Sequence, residues 1–243
     1  MSPFLGELLG TAILIIFGDG VVANVVLSRT KGNNAGWIVI TAGWALGVTI
    51  AVYSVNAISG AHLNPAVTIA LASLGTVPWS QVPTYVAAQI IGAFLGGVVV
   101  WLAYLPHWKE TADQGNKLAV FSTGPAIRAS GANIISEAIG TFALVLGILA
   151  VLSPNNLVPG SDLAKGLSPL LVGAIVMGIG LSLGGSTGYA INPARDLGPR
   201  IAHAVLPISG KGSSDWGYAW VPIVGPIIGG LLGALAYNLL WQP

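Results

Sequence analysis

The sequence predicts an all-α membrane protein: six transmembrane helices and two re-entrant half-helices arranged as an inverted repeat. Three observations carry that prediction. Charged residues make up 7% of the 243-residue chain against 54% apolar ones, and the mean hydropathy of +0.81 is too high for a soluble domain. Six apolar runs reach the roughly 20 residues that cross a hydrocarbon layer. The tripeptide Asn-Pro-Ala occurs twice, as Asn64-Pro65-Ala66 and Asn192-Pro193-Ala194, each time in a glycine-rich stretch too short or too broken to cross.

The predicted spans fall at about 4–27, 36–56, 82–104, 133–152, 167–185 and 218–241. The first starts at Pro3 without a basic leader or a small-residue cleavage site, so it reads as a retained span rather than a signal peptide. Ser59 to Leu74 lies between the second and third spans, and Ser186 to His203 between the fifth and sixth. Asn is a good N-cap and Pro suits the first helical position, so each Asn-Pro-Ala begins a short helix instead of breaking one. Residues 105–132 hold Lys109, Glu110, Asp113, Lys117 and Arg128 and read as a long surface loop. That loop joins two repeats, about 1–104 and 133–243, of a single transmembrane domain covering 1–243.

The repeats are visible residue by residue. Glu7-Leu8-Leu9-Gly10-Thr11 matches Glu137-Ala138-Ile139-Gly140-Thr141, and Ile90-Ile91-Gly92 matches Ile227-Ile228-Gly229. Three spans per repeat is an odd number, so the second repeat must insert upside down relative to the first. The two interrupted loops then enter from opposite sides. Non-helical backbone at membrane depth must be buried in protein or line a watery cavity, so these loops are expected to meet near the midplane. There the positive ends of two helix dipoles and two Asn amides make an electropositive centre without a net charge. Gly60, Ala61 and His62 before the first Asn, and Thr187, Gly188 and Ala190 before the second, are expected to run extended with carbonyls along one wall. A neutral hydroxylated molecule could pass from carbonyl to carbonyl, whereas a proton or cation would meet the dipole ends and a desolvation cost.

Ser-Gly-Ala-His-Leu-Asn-Pro-Ala-Val-Thr at 59–68 and Gly-Tyr-Ala-Ile-Asn-Pro-Ala-Arg-Asp at 188–196 resemble the two signature loops of the aquaporin, or major intrinsic protein, family. The match extends over essentially the whole chain. Arg195 followed by Asp196, and Pro222-Ile223 at the start of the last span, resemble the glycerol-facilitator branch. The resemblance implies an aquaglyceroporin, a passive channel for glycerol, other small neutral solutes and water that excludes protons and ions. It also implies a multi-pass bacterial plasma-membrane protein, a homotetramer with one pore per subunit, and no cofactor. By position it implies a constriction formed by Trp44, Gly180, Tyr189 and Arg195. Arg195 offers several donors in a fixed plane, and Trp44 with Tyr189 offers an apolar corner for the carbon side of a polyol. Gly180 supplies room where water-selective relatives carry His. Tyr189 departs from the usual Phe of glycerol facilitators, and its hydroxyl either narrows the gap or adds a polar contact.

Glu7 and Glu137 sit at equivalent places in apolar spans, where a carboxylate must be paired or hydrogen-bonded. The resemblance implies that each accepts hydrogen bonds from a re-entrant loop. Asp196 precedes Arg200 by four residues, a spacing that permits a helical pair, and reads as a brace for the second loop. Asp19, within Phe17-Gly18-Asp19-Gly20, has no counterpart in the second repeat. It reads either as a vestibule residue or as a group bonded across a subunit contact. His62 is expected to fix the first loop, and His107 and His203 to be solvated or capping. The three histidines show no ligand spacing, so no metal is expected. Glycines recur at spacing four, among them Gly92 and Gly96, Gly180 and Gly184, and Gly225 with Gly229 and Gly233, a pattern that lets helices approach closely.

Other classes fit less well. The absence of cysteine excludes disulfide and thiol chemistry, and a net charge of +1 gives nucleic acid nothing to bind. Gly184-Gly185-Ser186-Thr187-Gly188 satisfies a nucleophile-elbow pattern, yet it ends a membrane span and no histidine follows in the last span. The stronger rival is a proton-coupled secondary transporter of a small polyol or organic acid, which also favours inverted repeats. It would need a carboxylate that loads and unloads, with Glu7, Asp19 and Glu137 as candidates. Arg29, Lys31, Lys109, Lys117 and Arg128 would place the first and third loops in the cytoplasm by the positive-inside rule. The family resemblance implies the opposite orientation, which is the expectation adopted.

Overall fold

The computed structural model describes residues 1–241. Six helices are long and apolar enough to span: α1 (Pro3–Val26), α2 (Trp37–Ser59), α4 (Val82–Ala103), α7 (Ser130–Val151), α8 (Asp162–Leu183) and α10 (Val221–Trp241). Two shorter helices, α3 (Pro65–Ser73) and α9 (Pro193–Val205), begin at the prolines of the two Asn-Pro-Ala tripeptides. No strand occurs among the described residues. Local chemistry sets several of the ends. Ser161 caps α8 by accepting from the Ala164 N–H at 3.1 Å, and α2 stops at Gly60, whose φ of 82° suits a residue without Cβ. The predicted spans and half-helices are therefore present, with boundaries moved by a few residues.

Residues 105–132 depart from the expected surface loop. They contain α5 (Leu105–Glu110) and α6 (Gln114–Phe121), and Trp108, Val120 and Phe121 are buried. Trp108 stacks on Phe121 with ring centroids 5.5 Å apart, giving this polar stretch an apolar underside. One of its charges turns inward, the buried Lys117, which donates to the Ser209 and Gly210 carbonyls, while the exposed Arg29 pairs with Glu110 at 2.8 Å. Arg128 pairs with Asp215. Basic groups engaged in this way weaken a charge count as a guide to orientation.

The two repeats pack as counterparts. α1 lies against α4, and α7 against α10. A Cβ on Gly96 of α4 would lie 2.8 Å from the Ala12 carbonyl oxygen of α1, and one on Gly233 of α10 would lie 2.9 Å from the Phe142 carbonyl oxygen of α7. Small residues thus permit backbone-to-backbone approach, as the spacing predicted. Gly180 and Gly184 serve differently, because the space above them is filled by the Tyr189 ring together with the Thr41 and Trp37 side chains of α2. Each half-helix crosses into the other repeat: α9 packs on α4, and α3 on α10. The half-helices therefore lock the repeats together around a shared centre.

Candidate functional site

At that centre the two loops share an unusual backbone. Gly60, Ala61 and Leu63 have φ of 82°, 50° and 53°, and Gly188, Tyr189 and Ile191, each 128 positions later, have 82°, 39° and 43°. The expected extended run is replaced by these left-handed turns, which cost energy for residues other than glycine. Two buried carboxylates offset the strain. Glu7 accepts from the N–H groups of His62 at 2.9 Å and Leu63 at 2.7 Å, and also from Ser59 Oγ and Gln89 Nε2. Glu137 accepts from the N–H groups of Ala190 at 3.0 Å and Ile191 at 2.8 Å. With the amides turned to the carboxylates, the carbonyls of these residues are left to face elsewhere.

Each half-helix is capped by its own Asn. Asn64 Oδ1 accepts from the Ala66 N–H at 2.9 Å, and Asn192 Oδ1 accepts from the Ala194 and Arg195 N–H groups. Both Asn side chains line a cavity of about 420 Å3, together with Gly60, Ala61, His62 and Ala190. Pro65, Ala66, Pro193 and Ala194 are not among its lining residues, and neither are Thr187 and Gly188, whose carbonyls were expected there. Val48, Val52, Leu144 and Val176 form the facing apolar side. His62 is held by Thr68 Oγ1 at 3.1 Å and lies against the Tyr85 ring, consistent with a loop-fixing role.

At one end the cavity is bounded by Trp44, Tyr189 and Arg195. The Arg195 guanidinium carbon sits 4.1 Å above the Trp44 ring centroid, a cation–π geometry. Gly180 does not face the cavity. A Cβ there would lie 2.8 Å from Tyr189 Cζ and 2.8 Å from Thr41 Cγ2, so the room that Gly180 supplies is occupied by the Tyr189 ring. The Tyr189 hydroxyl is buried without a hydrogen-bond partner among the described residues. Trp37, which sequence reasoning missed, holds this corner: its ring meets Tyr189 edge-on at 5.6 Å, and its Nε1 donates to the Gly180 carbonyl at 2.8 Å. Nothing local marks Trp37. Gln89, also missed, had a signal, as the lone amide in the apolar span α4.

Asp196 forms the helical pair with Arg200 that its spacing permits. It accepts from Arg200 Nε at 2.8 Å and from the N–H and hydroxyl of Thr123 at 2.8 and 2.7 Å. Arg200 in turn donates to the carbonyls of Thr123 and Ser214. His203 is fully buried, which removes the solvated one of the two roles expected for it, with Nδ1 2.8 Å from Ser214 Oγ. Burial, then the nearby Lys211 and Arg200 charges, push its imidazole down to about 4. His107 lies on α5, with Nδ1 2.9 Å from the Ser28 carbonyl. Asp19 neither lines a vestibule nor sits at an outer surface: it is fully buried, with Oδ1 3.9 Å from Arg195 Nη1. Ser186 of the elbow pattern has Ser136 as its side-chain partner, and no strand precedes it.

The polar groups of the cavity are arranged along a path through a bundle of six membrane-length helices. That build lets a small molecule through, so the protein is a multi-pass membrane channel. More particularly, it belongs to the major intrinsic protein family, which it matches over residues 1–237. It is 63% identical to the "Probable glycerol uptake facilitator protein" of Thermotoga maritima, covering 99% of this chain and 100% of that one. It is 60% identical to the glycerol uptake facilitator protein of Bacillus subtilis, over 100% and 86% of the two chains. Among solved structures, the aquaglyceroporin from Plasmodium falciparum superposes with a TM-score of 0.86 at 33% identity, covering 99% of this chain and 96% of that one.

Proposed function

We propose that this channel passes glycerol and other small neutral solutes, with water, by passive diffusion, and excludes protons and ions. The observation that carries the reading is the two-sided cavity wall. Apolar side chains of α2, α7 and α8 face a line of backbone groups from Gly60 to Leu63 and from Ala190 to Ile191, joined by Asn64 and Asn192. A polyol has the same two sides, carbon on one and hydroxyls on the other. Trp44, Tyr189 and Arg195 act as the constriction, with Gly180 seating the Tyr189 ring. The glycerol uptake facilitators among its relatives support glycerol as the substrate. Glu7 and Glu137 act as scaffold, because their oxygens are engaged by loop amides, which leaves them unsuited to a loading cycle. The family resemblance supports a homotetramer in the plasma membrane with the first and third loops outside.

The test is stopped-flow light scattering on proteoliposomes given a glycerol gradient, with and without a proton uncoupler. Fast glycerol entry that ignores the uncoupler is expected. Entry that stops when the proton gradient collapses would overturn the passive mechanism in favour of a coupled transporter.

A further inference from the structure

We propose that Asp19 is a positioning residue of the pore constriction that sets solute selectivity through Arg195, an inference that rests on Trp44, Tyr189 and Arg195 forming that constriction. Asp19 lies within α1, fully buried, and neither carboxylate oxygen has a hydrogen-bond partner among the described residues. An unpartnered carboxylate at membrane depth is costly, and helix packing does not call for one. Glu7 and Glu137 show how this scaffold treats carboxylates it uses structurally: both are filled by donors. Asp19 instead stands 3.9 Å from Arg195 Nη1, the one cation paired with it among the described residues.

Arg195 is incomplete in the matching way. Its Nη1 is buried without a hydrogen bond among the described residues, and the neighbouring Asp196 is already engaged by Arg200 and Thr123. Arg195 also occupies the first turn of α9, where the positive end of the helix dipole adds to its charge. Asp19 is therefore what balances the guanidinium. It holds Nη1 toward the protein and leaves the other donors to the cavity that Arg195 lines. The residue before it completes the arrangement, because a Cβ on Gly18 would run into the Trp44 ring. Gly18 seats the indole and Asp19 the guanidinium, so this dipeptide is the back wall of the constriction. The corresponding positions of the second repeat, 130 residues on, are Ile148 and Leu149. That asymmetry fits a role tied to the single constriction and not to the repeated scaffold.

A guanidinium without its counter-charge is free to swing across the path and binds solute oxygens more tightly, which slows a carbon-chain solute more than water. The test compares the parent chain, Asp19→Asn, Arg195→Gln and the double variant in proteoliposomes, measuring glycerol and water permeability in each. The expected result is an Asp19→Asn channel with glycerol permeability reduced about fivefold or more and water changed by less than about twofold, the range for coupling between neighbouring groups. Adding Asp19→Asn to Arg195→Gln should leave the glycerol-to-water ratio within about twofold. An unchanged ratio in Asp19→Asn, or an equal drop in both backgrounds, overturns the proposal. If Asp19→Asn alone fails to assemble but the double variant assembles and behaves as Arg195→Gln, the charge-balancing role stands; if neither assembles, Asp19 serves the scaffold and the proposal fails. A parent that passes no glycerol refutes the glycerol reading itself, and the inference falls with it.

Discussion

Asn64 and Asn192 each hold the other's loop. The Asn64 amide donates to the Ile191 carbonyl and the Asn192 amide to the Leu63 carbonyl, both at 2.8 Å, while each Oδ1 caps its own half-helix. Two segments 128 positions apart in sequence are thus fastened at the point where the helix dipoles converge. Any charge placed there acts on both dipole ends at once.

Asn64→Asp keeps the cap acceptor, releases the Ile191 carbonyl and sets a negative charge at the electropositive centre. Cation leak through the channel is expected to rise, by about tenfold for each 1.4 kcal/mol removed from the barrier. The collapse of a potassium gradient across proteoliposomes measures it. An unchanged leak would mean that the dipole ends do not set the cation barrier.

Tyr189→Phe removes a hydroxyl that is buried and unpartnered while leaving the ring over Gly180. Glycerol permeability should stay within about twofold of the parent. Thermal stability should hold or rise by about 1 kcal/mol, since an unmet desolvation cost is relieved. A large loss of flux would show that the hydroxyl meets the solute.

Gly180→Ala places a methyl 2.8 Å from Tyr189 Cζ, and the ring has the cavity as its outlet. Glycerol permeability is expected to fall about tenfold, equivalent to about 1.4 kcal/mol on the barrier, with water affected less. Equal loss of both solutes would point to a collapsed fold, and no loss would mean the ring shifts elsewhere.

Asp196→Ala leaves Arg200 buried and unpaired and strips Thr123 of its acceptor. Removing one partner of a buried pair costs about 3–5 kcal/mol, so the variant is expected to melt well below the parent in detergent. Parent-like melting would show that Arg200 is held by the Thr123 and Ser214 carbonyls alone.

His203 supplies a pH dependence. In the unfolded chain imidazole takes up its proton below about 6.5, whereas in the folded protein it resists until about 4. The folded state therefore binds fewer protons in that window and loses stability as pH falls through it. Melting temperatures at pH 7 and pH 5 should differ more for the parent than for His203→Gln. Equal differences would assign acid sensitivity to other groups.

Much of this molecule was legible from local chemistry. Span lengths follow from hydrocarbon thickness, the half-helix starts follow from Asn and Pro at Asn64-Pro65 and Asn192-Pro193, and Glu7 and Glu137 announce themselves as carboxylates in apolar helices. Gly180 shows the limit: the resemblance could assign it to the constriction, but could not reveal that an aromatic ring fills the room it leaves. Residues 105–132 failed for a related reason. Their charges suggested solvent, while Trp108 and Phe121 find an apolar seat only when the bundle is assembled. The pairing of Asp19 with Arg195, and of Trp37 with Tyr189, had no local signature at all. Periodicity, capping and composition act over a few residues, whereas these contacts join groups more than 140 positions apart. They exist only because α9 threads its first turn behind the spans of the other repeat, where burial strengthens the pull between opposite charges and packing leaves one position for each ring.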